Sequence, residues 1–202
     1  FAEAVAFCQA HGLVLAHDFP YADLCFNCQP APSVLQADPD KTCSIEFFSF
    51  SKAYNMGGFR IAYAIGNREL ILALRQVKAT VDFNQYQGIL RGAIAALEGP
   101  QDCVQTAVNT FKARRDAMVS ALNYHGWAVA SPEATMYLWA KLPERFTDSI
   151  DFCVRLVEAT GVALAPGRGF GKSGEGYVRL ALVQPPQVLQ QAAQQIAEFI
   201  NS

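Results

Sequence analysis

Three short runs in the first third of the chain, "LVLAHD" (13–18), "SIEFFSF" (44–50) and "RIAYAIG" (60–66), are β-prone and nearly continuous in apolar residues. A strand with one wet face would alternate apolar with polar residues, so runs like these suit a mainly parallel sheet covered by helices. Ahead of the first run, Phe1, Ala4, Val5 and Cys8 recur at helical spacing and Gly12 follows as a stop signal. The chain therefore reads as α/β from its first residues.

Residues 20–42 are rich in Pro, Asp and Asn and read as a long connection. Helices are predicted over 68–78, 85–98 and 101–124. Gly99-Pro100 breaks the run, because proline removes a backbone donor and disfavours helix in the residue before it. Beyond residue 124 the grain changes to short strands, "WAVA", "MYLWAKL", "GVALAP" and "YVRLALV", with helices at 148–160 and 186–200. That α+β pattern places a domain change inside the long helix, with 1–105 belonging to an α/β domain and 106–202 forming a smaller α+β domain.

Composition excludes some partners. A hydrophobic content of 51% over 202 residues is ample for packed cores. Lysine plus arginine number 16 against 18 acidic residues, a net charge of -2, so there is no overall basic field to hold a nucleic acid or an anionic membrane. No run of about 18 apolar residues suggests a membrane span. Six cysteines are scattered without a secretory pattern, which points to a reducing cytoplasm.

Two motif matches fail on context. "GFGKSG" (169–174) has the G-x-G-x-x-G spacing of a dinucleotide site, but a strand follows it where that motif needs a helix. "CFNC" (25–28) has redox or zinc spacing, yet no second pair of ligands matches it among the remaining cysteines and histidines, and a metal is not expected.

The stretch "SFSKAYNMGGFR" (49–60) is different. A lysine that attacks a carbonyl must sit where its charged form is disfavoured, and a turn at the end of a buried strand offers that setting. Arg60, eight residues after Lys52, carries a fork of donors suited to a phosphate, and the hydroxyls of Ser49 and Ser51 stand nearby in sequence. A carbonyl cofactor bearing a phosphate is implied. From spacing alone, a surface-loop lysine and a strand-edge arginine remain the equal alternative.

This stretch resembles the S-x-S-K-x-x-x-x-x-G-x-R signature of class I/II aminotransferases, the fold-type I enzymes that use pyridoxal 5'-phosphate. The resemblance implies that Lys52 forms the Schiff base with the cofactor and acts in catalysis, while Arg60, Ser49 and Ser51 bind its phosphate. "HDFPYADL" is similar to the family's D-x-x-Y element, 34 residues before the lysine, which makes Asp18 the partner of the pyridine nitrogen and Tyr21 the donor to the 3'-oxygen. "GEGYVRLAL" resembles the strand whose arginine, here Arg179, grips the substrate carboxylate. "DFNQYQG" is similar to the family's inter-subunit segment.

The likeness covers only the family's second half and is strongest to bacterial LL-diaminopimelate and aspartate types. The expectation is a C-terminal portion of such an enzyme, inactive or nearly so by itself. It implies transamination of an amino acid with a 2-oxo acid in a homodimer. A fold-type I lyase or decarboxylase, and a non-catalytic regulatory module that binds the cofactor, remain the alternatives.

Overall fold

The first helix, α1 (Ala2–His11), stops where Gly12 takes the left-handed conformation (φ 62°, ψ 34°) that glycine alone adopts without strain; its N–H closes back on Cys8 and Gln9. In the computed structural model, which describes residues 1–27 and 30–202, strand β1 (Leu15–Asp18) follows. It pairs in parallel with β2 (Ser44–Ser49), Leu15 opposite Ser44 and Asp18 opposite Phe47. β2 then pairs antiparallel with β3 (Ala62–Gly66), Ser49 facing Ala62, to give the order β1-β2-β3.

Of the three apolar runs, the third is therefore the one that departs from parallel pairing. Between β2 and β3 lie only turns and one short 3-10 turn (Gly57–Phe59), with no crossover helix to carry the chain back to its starting end. The strand must return in the opposite direction.

Inside the long connection stands a short helix that the sequence pattern did not announce, α2 (Val34–Ala37). Ser33 caps it and the Gln36 side chain reaches back to the Ser33 N–H, a capping box. Next come α3 (Arg68–Val81), capped by Asn67, then α4 (Gln87–Glu98) and the long α5 (Asp102–Tyr124). The chain divides within α5 into two compact units, Phe1–Val108 and Asn109–Ser202.

The second unit holds β4 (Tyr137–Lys141), α6 (Ser149–Thr160), β5 (Ala165–Pro166), β6 (Tyr177–Ala181) and α7 (Pro186–Asn201). The strands are antiparallel in the order β4-β6-β5. Alternation sends Leu138, Ala140, Val178 and Leu180 into a core with Met118, Leu122, Phe152, Leu156 and Ile196. Each buried side chain of this size contributes about 1.5–3 kcal/mol.

"WAVA" forms no strand. Trp127 is buried, its indole N–H donates to the Lys141 carbonyl (2.9 Å), and the Asn123 side chain takes both the N–H and the carbonyl of Val129 (2.8 and 3.4 Å). With both backbone groups of Val129 met by a side-chain amide, that residue has no need of a ladder.

Asp38 closes the turn that delivers the chain into β2. Its buried carboxylate accepts from the backbone of Thr42, Cys43 and Ser44 and from the hydroxyls of Thr42 and Ser44, at 2.7–3.1 Å. Burial alone would push this carboxyl up; the Thr42 N–H, the Ser44 hydroxyl, the Cys43 N–H and the Thr42 hydroxyl together hold it far below the usual range. A depressed folded-state value means that the stabilisation is full above the unfolded value of about 3.9 and is lost as pH falls below it. Asp38→Asn should therefore be less stable than the wild type at pH 7 by about 2 kcal/mol. In urea titrations at several pH values the gap should narrow below about pH 4.

Candidate functional site

The parallel pairing of β1 with β2 puts their C-terminal ends side by side. Asp18 is the last residue of β1, and Ser49 the last of β2. Because β3 runs the other way, its beginning lies at that same end, and Arg60 stands two residues before it. Ligands of α/β sheets bind where parallel strands end, since the loops there diverge and leave a crevice. Asp18, Tyr21, Ser49, Ser51, Lys52 and Arg60, chosen from sequence, are all brought to this one end.

Contacts within the cluster are consistent with that placement. The Lys52 ammonium lies 5.6 Å from the centroid of the Tyr21 ring, a residue from a different loop. The Ser51 N–H donates to the Ser49 hydroxyl (3.1 Å), which folds the serine pair into a tight turn. Arg60 donates through Nη1 to the Gly57 carbonyl (3.0 Å) and takes a left-handed backbone (φ 52°, ψ 51°). For a residue other than glycine that conformation costs about 1–2 kcal/mol, and strain of this kind gathers at functional turns.

The lysine turn is held from behind. Phe50 and Ala53, on either side of Ser51 and Lys52, are 2% and 3% exposed, whereas Lys52 itself is half-buried. Phe50 and Ile61 pack with Ala93 of α4, joined by Tyr54, Met56, Ile89 and Leu90. Tyr54 also donates to Gln101 (2.8 Å), whose amide bonds the Ala96 and Gly99 carbonyls at the end of α4. A helix and two core side chains thus fix the backbone that presents Lys52.

Arg179 belongs to the second unit and is described there by itself. It lies in β6 opposite Trp139 of β4, on the face turned away from the core. Its guanidinium sits between the rings of Tyr137 (4.3 Å) and Phe170 (4.5 Å). Trp139 stacks on Tyr177 (centroids 5.6 Å, interplanar 8°) and meets Phe170 edge-on. None of Lys52, Arg60 and Arg179 is in an ion pair among the described residues. Stacked rings hold the arginine's plane without neutralising it, so its fork is left to bind an anion. Sequence reading missed Tyr137 and Phe170; for Tyr137 the aromatic alternation along β4 was the available signal, whereas Phe170 lies in the 3-10 turn before β6.

The rejected dinucleotide motif finds a structural reason. "GFGKSG" lies in two 3-10 turns (Gly167–Phe170 and Lys172–Gly174) that lead into β6, with no helix following. Glu175 fastens this loop to the start of α6: the Ser149 and Gly176 N–H groups bond its carboxylate (2.7 and 3.0 Å) and hold it below the usual range. Cys28, the second cysteine of "CFNC", lies outside the described residues. Cys25 is a free thiol, and no group of metal-ligating side chains occurs among the described residues.

Comparisons with known proteins agree with this picture. The profile of aminotransferase class I and II matches residues 1–196. The LL-diaminopimelate aminotransferase of Dehalococcoides mccartyi is 43% identical over 199 residues, covering 98% of this chain and 51% of that protein. Glutamate-pyruvate aminotransferase AlaC of Escherichia coli is 38% identical, covering 100% of this chain and 50% of its own. Among solved structures, the probable N-succinyldiaminopimelate aminotransferase from Thermus thermophilus superposes with a TM-score of 0.90 at 45% identity, over 97% of this chain and 52% of that one. The chain spans about half the length of the curated relatives it matches.

The loop into β6 offers a test of its own. A Cβ on Gly174 would run into the Gly167 carbonyl, and one on Gly167 into the carbonyls of Gly174 and Tyr177. Backbone atoms on both sides leave nothing flexible to yield. Gly174→Ala should cost about 1–3 kcal/mol in urea denaturation, while Gly169→Ala, which has open space around it, should cost far less.

Proposed function

The chain belongs to the aminotransferase class I and II family, and from that premise we propose that it carries the lysine half of a site that transfers an amino group from an amino acid to a 2-oxo acid with pyridoxal 5'-phosphate. The observation that carries the reading is the gathering of Asp18, Tyr21, Ser49, Ser51, Lys52 and Arg60 at one end of the β1-β2-β3 sheet, with Lys52 beside Tyr21. The donor set fits the cofactor in its chemistry: two cations without carboxylate partners among the described residues, a hydroxyl pair, a phenol and one carboxylate.

Arg60, Ser49 and Ser51 would hold the phosphate, and the Tyr21 hydroxyl the 3'-oxygen. Asp18 would accept from the ring nitrogen and keep it protonated. When bound, the cofactor supplies a ring that accepts the electrons released at the substrate Cα. Lys52 would take the proton from that Cα and return it during transfer, a role suited to an amine held half-buried on a rigid turn. Arg179 would bind the substrate α-carboxylate through its fork.

The proposal extends to a cytoplasmic homodimer. Val77, Val81, Phe83 and Tyr86, at 60–78% exposure around the segment that resembles the family's inter-subunit region, would be covered there.

In the intact enzyme loaded with cofactor, borohydride reduction followed by peptide mapping should place the pyridoxyl group on Lys52, and Lys52→Ala should lower kcat by about 100- to 10,000-fold. An adduct on another lysine, with Lys52→Ala still active, would overturn the assignment. Arg179→Lys keeps the charge but loses the fork, so KM for every amino donor should rise about tenfold, equal to about 1.4 kcal/mol of lost binding. An unchanged KM would remove Arg179 from the substrate site.

A further inference from the structure

Glu46 stands in the middle of β2 with 0% of its surface exposed. An acidic side chain persists in such a place only when its oxygens are bonded, and the bonds here come from separate stretches of chain. Oε1 accepts from the Val34 N–H (2.9 Å) and lies 2.6 Å from Nδ1 of His17, while Oε2 accepts from the Ser33 hydroxyl (2.7 Å). His17 is the direct neighbour of Glu46 in the parallel β1–β2 register, so the contact is a side-chain cross-link laid over the backbone ladder.

The positions of these partners matter. His17 immediately precedes Asp18, and its ring stacks on Phe19, which immediately follows (centroids 4.5 Å, interplanar 25°). The Phe19 N–H in turn donates to the Phe47 carbonyl of β2 (2.8 Å). Both neighbours of Asp18 are therefore fastened to β2. At the far end of the same connection, Ser33 and Val34 are the cap and first residue of α2, and Glu46 holds them too. The segment between these anchors carries Asp18 at its start and Tyr21 within it.

If only volume were needed, an apolar side chain would fill the space without desolvating a carboxylate. What a carboxylate adds is directed bonding of donors from both ends of one segment. We propose that Glu46 and His17 are positioning residues for the cofactor site: the buried Glu46 carboxylate, by holding His17 at one end and Ser33–Val34 at the other, sets where Asp18 and Tyr21 stand. The inference rests on the cofactor reading of Asp18 and Tyr21 given above.

The test uses the intact enzyme loaded with pyridoxal 5'-phosphate and the variants Glu46→Ala, Glu46→Gln and His17→Ala, with Asp18→Asn as the reference. Steady-state kinetics, visible circular dichroism of the bound cofactor and thermal melting are measured on each. Glu46→Ala and His17→Ala should lower kcat about tenfold or more, with KM for the amino donor within about twofold, because a small misplacement costs the chemical step more than substrate capture. The visible dichroism should change in the direction set by Asp18→Asn. Glu46→Gln keeps the shape and one acceptor oxygen and should recover most of both signals. The His17→Ala, Asp18→Asn double variant should lose less than the sum of the two single losses, since His17 acts in part through Asp18.

Variants that only melt earlier, with kcat and visible dichroism at wild-type levels, would overturn the proposal, and so would full additivity in the double variant. Should Glu46→Ala fail to fold, His17→Ala and Glu46→Gln decide by the same readouts. An Asp18→Asn protein with unchanged kcat and dichroism would instead overturn the cofactor reading itself, and this inference with it.

Discussion

The parallel pairing of β1 with β2 is the constraint from which the first unit follows. With Leu15 opposite Ser44 and Asp18 opposite Phe47, the two strands end together, and one end of the sheet receives both the carboxylate loop and the lysine turn. Had the strands paired antiparallel, Asp18 and Ser49 would lie at opposite ends. A slip of one residue would keep the ends together but turn His17 away from Glu46, because successive side chains point to opposite faces. That cross-link and the ladder therefore specify the same register.

A register delivers backbone to a place; it does not hold a turn rigid. The residues that do so are apolar. Phe50 and Ala53 bracket the lysine, Ile61 follows the arginine, and Phe50 and Ile61 meet Ala93 of α4. Packing of this kind is non-directional, yet a close-packed core gives a flanking turn little freedom. The left-handed backbone at Arg60 is the cost of re-aiming the chain between β2 and β3 within a short span, and the Arg60–Gly57 bond offsets part of it.

The second unit solves a similar problem with different parts. Its strands β4 and β6 alternate, one face apolar against α5, α6 and α7, the other aromatic around one arginine. The rings of Tyr137 and Phe170 orient Arg179 while leaving its charge without a carboxylate among the described residues. The loop before β6 can pass close to itself only because Gly167 and Gly174 lack side chains, and Glu175 ties it to the first turn of α6. Glycine here serves a close approach of backbones.

The amino-acid sequence by itself marked the elements and the candidate site residues. Apolar runs marked β1, β2 and β3; helical spacing and the Gly12 and Pro100 breaks marked α1, α4 and α5 to within a few residues; and "SFSKAYNMGGFR" singled out the lysine and arginine through its resemblance to a family signature. These are local signals, and local physics creates them. What sequence did not decide is how distant segments answer one another. "WAVA" looked like a strand, but Asn123 had already met the backbone needs of Val129. "RIAYAIG" looked like another parallel strand, but its short connection reversed it. Glu46 interrupts an apolar run, and its partners His17, Ser33 and Val34 come from two other places in the chain. Direction, register and the partners of buried polar groups belong to tertiary structure, because each depends on which segment comes to lie beside a residue, and periodicity along one strand carries no record of that.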